Sequence, residues 1–82
     1  MFINKAKDGR NNLCGEKIAL LRKSQKLSQR RLADKMQLAG VDMDKNAVQR
    51  IEAGKRFVTD IELVYLADVF NVSFDVLLGK TE

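Results

Sequence analysis

Apolar residues recur along this chain at intervals of three and four and never for long at intervals of two, so the pattern predicts helices and no strand. A first helix is expected from Leu13 to Ser24, with Asn12 as candidate cap. Ile18 and Leu21 form its inner stripe, with Leu13 a turn or more before them, and Lys17, Arg22 and Lys23 take the other face. Leu27 is read as a core plug between helices. Ser28 then caps a second helix, Gln29 to Met36, whose Leu32, Ala33 and Met36 face inward. Gln37 to Met43 is a connector with Gly40 as its turn residue. A third helix opens on Asp44 and stops at Gly54. Its inner side carries Ala47, Val48 and Ile51, and its outer side carries Lys45, Asn46, Gln49 and Arg50.

After the loop Lys55-Arg56-Phe57-Val58, the capping box Thr59-Asp60-Ile61-Glu62 starts a fourth helix that runs to about Phe70. It has one apolar stripe of Leu63, Leu66, Ala67 and Phe70 and a second of Ile61, Tyr65 and Val69. Such a helix is either central to the core or partly an interface. Ser73 caps a short last helix, Phe74 to Leu78, ended by Gly79. The expected fold is all-α, a compact bundle of five helices, with no internal repeat.

Composition narrows the class. Eighty-two residues make one domain with a single core of marginal stability. No run of about 18 apolar residues and no signal-peptide pattern occurs, which predicts a soluble chain in a reducing cytoplasm, not a membrane protein. One cysteine cannot form an internal disulfide, and without histidine there is no conventional zinc set, so no metal or cofactor is expected. Cys14 is read as a small apolar filler. An enzyme needs a nucleophile with its base, a metal, or paired carboxylates in a pocket. The lone thiol has no evident activating partner, no Gly-rich phosphate loop is present, and the carboxylates sit at helix caps or in the acidic last third. A non-enzymatic role follows, with no small-molecule ligand expected.

Charge is the second discriminator. Residues 1–56 carry 14 Lys/Arg against 6 Asp/Glu, while residues 57–82 carry 1 against 5. A basic front and acidic back suit a module that lays one side on a polyanion, although an ordinary soluble surface can show the same asymmetry. Residues 1–12 lack periodicity, contain the turn pair Asp8-Gly9 and carry Lys5, Lys7 and Arg10. They are expected to form a mobile basic arm that follows a phosphate backbone or a minor groove, or does nothing specific. The domain proper then spans 13–79, with 80–82 a short tail.

The outer face of the third helix fits nucleic acid most closely. Arg or Lys reads guanine edges and Asn or Gln reads adenine, so Lys45, Asn46, Gln49 and Arg50 form a candidate base-reading set. A solvated face would have the same composition, and the preceding helix and connector favour the first reading by supplying a rigid pair that fits a groove. Ser28 and Gln29 add free backbone N–H groups and two polar side chains at a helix N-terminus, a natural phosphate clamp, with plain N-capping the simpler role for Ser28.

Leu27-Ser28-Gln29-x-x-Leu32-Ala33, Val48-x-x-Ile51-Glu52-x-Gly54-Lys55-Arg56, Leu63-x-x-Leu66-Ala67 and Val72-Ser73-x-x-x-Leu77-Leu78 follow one another in this order. Together they resemble the helix-turn-helix domain of phage-repressor and Cro-like (XRE-type) transcription regulators over roughly residues 13–79. The resemblance implies that helix 3 lies in the major groove with Lys45, Asn46, Gln49 and Arg50 in the base-reading positions. It implies phosphate contacts from Gln29, Lys55 and Arg56, and an ion pair between Arg22 and Glu52 that ties helix 1 to helix 3. Two departures stand out. The segment from Gln29 to Ile51-Glu52 is about five residues longer than the common pattern, with the excess around Gln37–Asp42, so either helix 2 gains a turn or the turn becomes a loop. Asp44 also stands where Ser or Thr is common; it caps well and repels phosphate.

The function so implied is a sequence-specific double-stranded DNA-binding transcription regulator, a repressor in the first instance. It would act as a homodimer on a two-fold-symmetric operator with half-sites about 34 Å apart. Phe57, Val58, Phe74 and Val76 are the apolar residues left over for the dimer contact, unless Phe74 plugs the core. Contacts of this size are weak and predict a dimer that forms on DNA. Two other readings use the same scaffold: a protein-interaction module working through its helix 4–5 surface, and an antitoxin-like partner that both represses and binds another protein.

Overall fold

The side chain just outside a helix decides where four of the five helices begin. Ser28 accepts a hydrogen bond from the Arg31 N–H, Asp44 from Ala47, Thr59 from Glu62 and Ser73 from Val76, each satisfying a first-turn donor that has no partner inside its helix. The computed structural model describes residues 5–80. Its elements are α1 (Gly15–Ser24), α2 (Gln29–Leu38), α3 (Lys45–Glu52), α4 (Asp60–Phe70) and α5 (Phe74–Leu77), with no strand among the described residues. Each helix ends in one residue of left-handed conformation: Lys26, Gly40, Gly54, Asn71 and Gly79 in turn. At every one of these ends the next residue's N–H reaches back to a carbonyl of the last turn, as in Val41 to Met36 and Lys55 to Arg50, both 2.9 Å.

The core is built where these caps aim the apolar stripes. Ile18 of α1, Leu32 and Met36 of α2, Val48 and Ile51 of α3, Leu66 of α4 and Leu77 of α5 are all fully buried. Helix α3 packs on both α1 and α2, α2 also meets α4, and α5 bridges α4 and α1. The inner face of α3 is therefore fixed from two sides, which leaves its outer face as a rigid ledge.

Several expectations are corrected. Helix α1 starts at Gly15, not Leu13, and Leu13 is 59% exposed. Cys14 takes the inner position in its place, one turn before Ile18. Asn12 still serves this end, because its Oδ1 accepts the Gly15 N–H at 2.8 Å. Between α2 and α3 both alternatives operate at once: α2 gains Gln37 and Leu38, and the remainder becomes a loop pinned by the buried Val41 and Met43. Gln37 spans that loop, donating from Nε2 to the Met43 carbonyl at 3.0 Å. Helix α5 ends at Leu77, one residue early. In the second stripe of α4, Tyr65 and Val69 pack against the core, but Ile61 is 66% exposed.

The basic arm is corrected most. Residues 1–4 lie outside the described residues, but residues 10–12 are held to the end of α3 and the following loop. The Asn11 N–H donates to the Gly54 carbonyl at 2.8 Å, and the Asn12 Nδ2 donates to Ile51 and Arg56 at 3.0 and 2.8 Å. A chain whose donors are matched to orphan carbonyls of a helix end is not free to swing. Lys5 and Lys7 line a surface depression with Leu13 and Lys80.

Candidate nucleic-acid interface

Helix α3 has eight residues, and its two faces differ as sharply as its sequence does. Val48 and Ile51 are buried, Ala47 is half-buried, and Lys45, Asn46, Gln49 and Arg50 are all exposed. Asp44 Oδ1 accepts from the Ala47 N–H at 2.8 Å, so its carboxylate belongs to the helix start. Among the described residues no hydrogen bond or salt bridge engages the side chains of the four outward residues. Four exposed polar side chains with no partner among the described residues, on a backbone fixed from behind, are what a groove reader needs.

The expected phosphate set divides. Ser28 is exposed and occupied in capping α2, with its Oγ 3.0 Å from the Arg31 nitrogen. Gln29 points inward as well, donating from Nε2 to Glu52 Oε1 at 3.0 Å. Lys55 is exposed and its ammonium is uncommitted among the described residues. Arg56 is not a free cation. Its Nη1 and Nη2 donate to Glu62 Oε1 and Oε2 at 3.0 and 2.9 Å, a bidentate pair that folds the loop onto the capping box of α4. Sequence reasoning missed Arg30, which is exposed at the second position of α2 and lines one depression with Asp34, Asp44 and Lys45. Its place beside Gln29 in the first turn was the available signal.

Glu52 is the hub behind this face. Arg22 Nε and Nη2 donate to Glu52 Oε2 and Oε1 at 2.7 and 3.0 Å, and Arg22 Nη1 donates to the Leu27 carbonyl at 2.8 Å. The two side chains are 11% and 9% exposed. One carboxylate thus joins α1, the start of α2 and the end of α3, and the Glu52 contact raises the Arg22 pKa further.

Arg56 holds the Glu62 carboxyl below its ordinary value, helped by the Thr59 N–H. A carboxyl whose folded pKa is lowered adds stability above its unfolded value, and loses it as pH falls through the folded one. Glu62→Gln should therefore be less stable than the parent by about 1 kcal/mol at neutral pH. The gap should begin to narrow as pH drops below about 4, the range of the unfolded carboxyl, and close only as pH falls through the lower folded value and the parent's carboxyl is neutralised as well. Thermal melts of both proteins across pH 3–7, a range about the carboxylate pKa, check this; a gap independent of pH would remove the ion pair as its source.

The groups expected to meet across a dimer axis are also unevenly placed. Phe57 and Phe74 are 55% and 50% exposed, so Phe74 does not plug the core. Val58 and Val76 are half-buried, and Val58 packs on the core. Phe74 lines an apolar groove of about 280 Å³ with Asp60, Leu63, Val64 and Leu78. Val64 and Ile61, one turn apart on α4, extend this apolar surface; Ile61 belongs to the second stripe expected of that helix, while Val64 was not singled out from sequence. Elsewhere, burial pushes the Cys14 thiol up to about 11, leaving it protonated and a poor nucleophile. No three His, Cys, Asp or Glu side chains gather into a metal site among the described residues, and no described helix is long and apolar enough to cross a membrane.

Comparison with known proteins agrees with this geometry. The helix-turn-helix family profile matches residues 18–77. No curated protein matches the sequence. Among solved structures, the chain is similar to the restriction-modification controller protein C.AhdI from Aeromonas hydrophila, with 27% identity and a TM-score of 0.66 over 77% of this chain and 84% of that one.

Proposed function

The chain belongs to the XRE-type helix-turn-helix family, and from that premise we propose that it is a sequence-specific regulator of transcription that lays α3 in the major groove of double-stranded DNA. The observation that carries this reading is the outward set Lys45, Asn46, Gln49 and Arg50, exposed on a helix whose opposite face buries Val48 and Ile51 in the core. Arg50 and Lys45 suit guanine, Asn46 and Gln49 suit adenine, and Lys55 supplies a backbone contact just past the helix end. Ser28 and Gln29 offer phosphate the N-terminal N–H groups of α2, with Gln29 keeping one amide proton and its oxygen beyond its bond to Glu52. Arg56 is left out of that set because Glu62 occupies it. On an operator that overlaps a promoter, such binding would exclude polymerase and repress. The likeness to a controller protein supports a regulatory role.

Selection from a random duplex pool tests this directly: a two-fold-symmetric site with half-sites about one helical turn apart should emerge. Recovery of no preferred sequence would sink the reading. A protein-interaction module would use the apolar α4–α5 surface but leaves the outward set of α3 without a task.

The reading includes a homodimer, joined through Phe57, Phe74 and the neighbouring groove, that forms on DNA. Phe74 opens α5, where an acidic residue is compatible with the helix start. Phe74→Glu should therefore melt close to the parent and lose cooperative binding to the selected palindrome, while still binding a half-site. Retained cooperativity in gel shifts would take Phe74 out of the interface.

A further inference from the structure

The segment before α1 meets the reading helix at its open end. The last carbonyls of a helix have no partners within it, and at α3 the chain that follows can satisfy only part of them. Glu52's carbonyl accepts from Arg10 Nη2 at 2.7 Å, and Ile51's accepts from Asn12 Nδ2 at 3.0 Å. Beyond the helix, Gly54's carbonyl takes the Asn11 N–H at 2.8 Å and Lys55's takes Asn11 Nδ2 at 3.0 Å, while Arg56's takes Asn12 Nδ2 at 2.8 Å. Three consecutive residues thus serve five carbonyls some forty positions away in sequence, and place a guanidinium where the helix dipole is negative.

Two glycines give independent support. Gly54 has φ +78°, and a Cβ there would lie 2.6 Å from Arg10 Cζ, so this position needs both the left-handed turn and room for the arginine. At Gly15 a Cβ would collide with the Ile51 carbonyl oxygen and crowd Arg10 and Asn12. The two helix ends meet backbone to backbone, with the side chains of residues 10–12 packed around the seam.

We infer that Arg10, Asn11 and Asn12 are positioning residues for base reading: they set the pitch of α3 against the body of the domain and thereby aim Arg50. This rests on the DNA-binding reading above. Arg50 lies two residues before Glu52, and its own carbonyl is bonded to the Lys55 N–H inside the clamped turn. Freed of the clamp, α3 would still be held through its buried face but could tilt at its C-terminal end. A small misplacement loses the directional contacts to base edges before it loses attraction to phosphate, because hydrogen-bond geometry is strict and Coulomb attraction is not.

The test compares affinity for the selected site with affinity for random duplex, at a temperature where circular dichroism shows each variant fully folded. Asn12→Ala removes no charge and should lower the ratio about tenfold, the discrimination of one good base contact, with random-duplex affinity and its salt dependence unchanged. Arg10→Gln should do the same, and Arg10→Lys, which keeps a cation and a donor at the helix end, should restore most of the ratio. Should Asn12→Ala fail to fold, Arg10→Gln and the milder Asn11→Ala decide the matter. An unchanged ratio in the folded variants overturns the inference and leaves the clamp a matter of stability alone. A salt slope reduced by about one unit in Arg10→Gln overturns it too, since Arg10 would then be touching phosphate. A parent protein that prefers no sequence defeats the DNA-reading proposal itself, and the positioning role with it.

Discussion

Replacing Glu52 by alanine is expected to destabilise the fold by about 3 kcal/mol, the low end for breaking a buried ion pair. The low end applies because Arg22 would keep its bond to the Leu27 carbonyl and lies close enough to the surface to recruit water. The loss is nevertheless more than one contact. Two nitrogens of Arg22 and the amide of Gln29 would be left facing an apolar methyl group. Arg22→Ala should fall in the same range, since it leaves a nearly buried carboxylate with Gln29 as its one remaining side-chain partner. An exposed pair would give under about 1 kcal/mol. Replacing both together, Arg22→Met with Glu52→Leu, should recover most of the loss, because no stranded charge remains. Urea melts of the three variants measure this. Midpoints unchanged in both single variants would contradict the hub role of Glu52.

What could be seen in the sequence follows from the range of each interaction. Ser28, Asp44, Thr59 and Ser73 act on backbone groups three residues away, so each announced its helix without knowledge of the fold. The stripes of α2 and α3 were equally legible, because burial of Leu32, Met36, Val48 and Ile51 follows from periodicity alone. The first helix was placed too early because Leu13 looks like a core residue, and nothing local reveals that Cys14 is turned inward instead. The bonds of Arg10 and Asn12 to the end of α3 were invisible for the opposite reason, although Asn12's place at the start of α1 was legible. Their partners lie 42, 39 and 44 positions away, and a basic stretch without periodicity reads as a free tail. Arg56 illustrates competition. It has the charge for phosphate, but a carboxylate six residues on, already oriented by its capping box, claims it first. Lys26, one of two non-glycine residues at positive φ among the described residues, gave no sign of its left-handed conformation after α1, since lysine is not a residue that marks left-handed turns.

The outer face of α3 carries the second large effect. Arg50 is exposed, and its side chain is unpaired among the described residues, so Arg50→Ala should leave folding nearly untouched. On the selected operator it should lose about 1–3 kcal/mol, and preference should relax at one or two base pairs. Lys55→Ala removes a cation that serves phosphate in this account. It should weaken every duplex alike and reduce the salt slope by about one unit. The two substitutions each remove one positive charge from neighbouring turns, so net charge cannot explain a difference between them.

The most direct test of α3 as the base reader is therefore a single titration series: parent, Arg50→Ala and Lys55→Ala against the selected site and random duplex, over a range of salt. The account predicts that Arg50→Ala lowers the ratio of specific to random affinity by about tenfold or more, while Lys55→Ala lowers both affinities and leaves the ratio where it was. Equal losses on both duplexes from Arg50→Ala would contradict it.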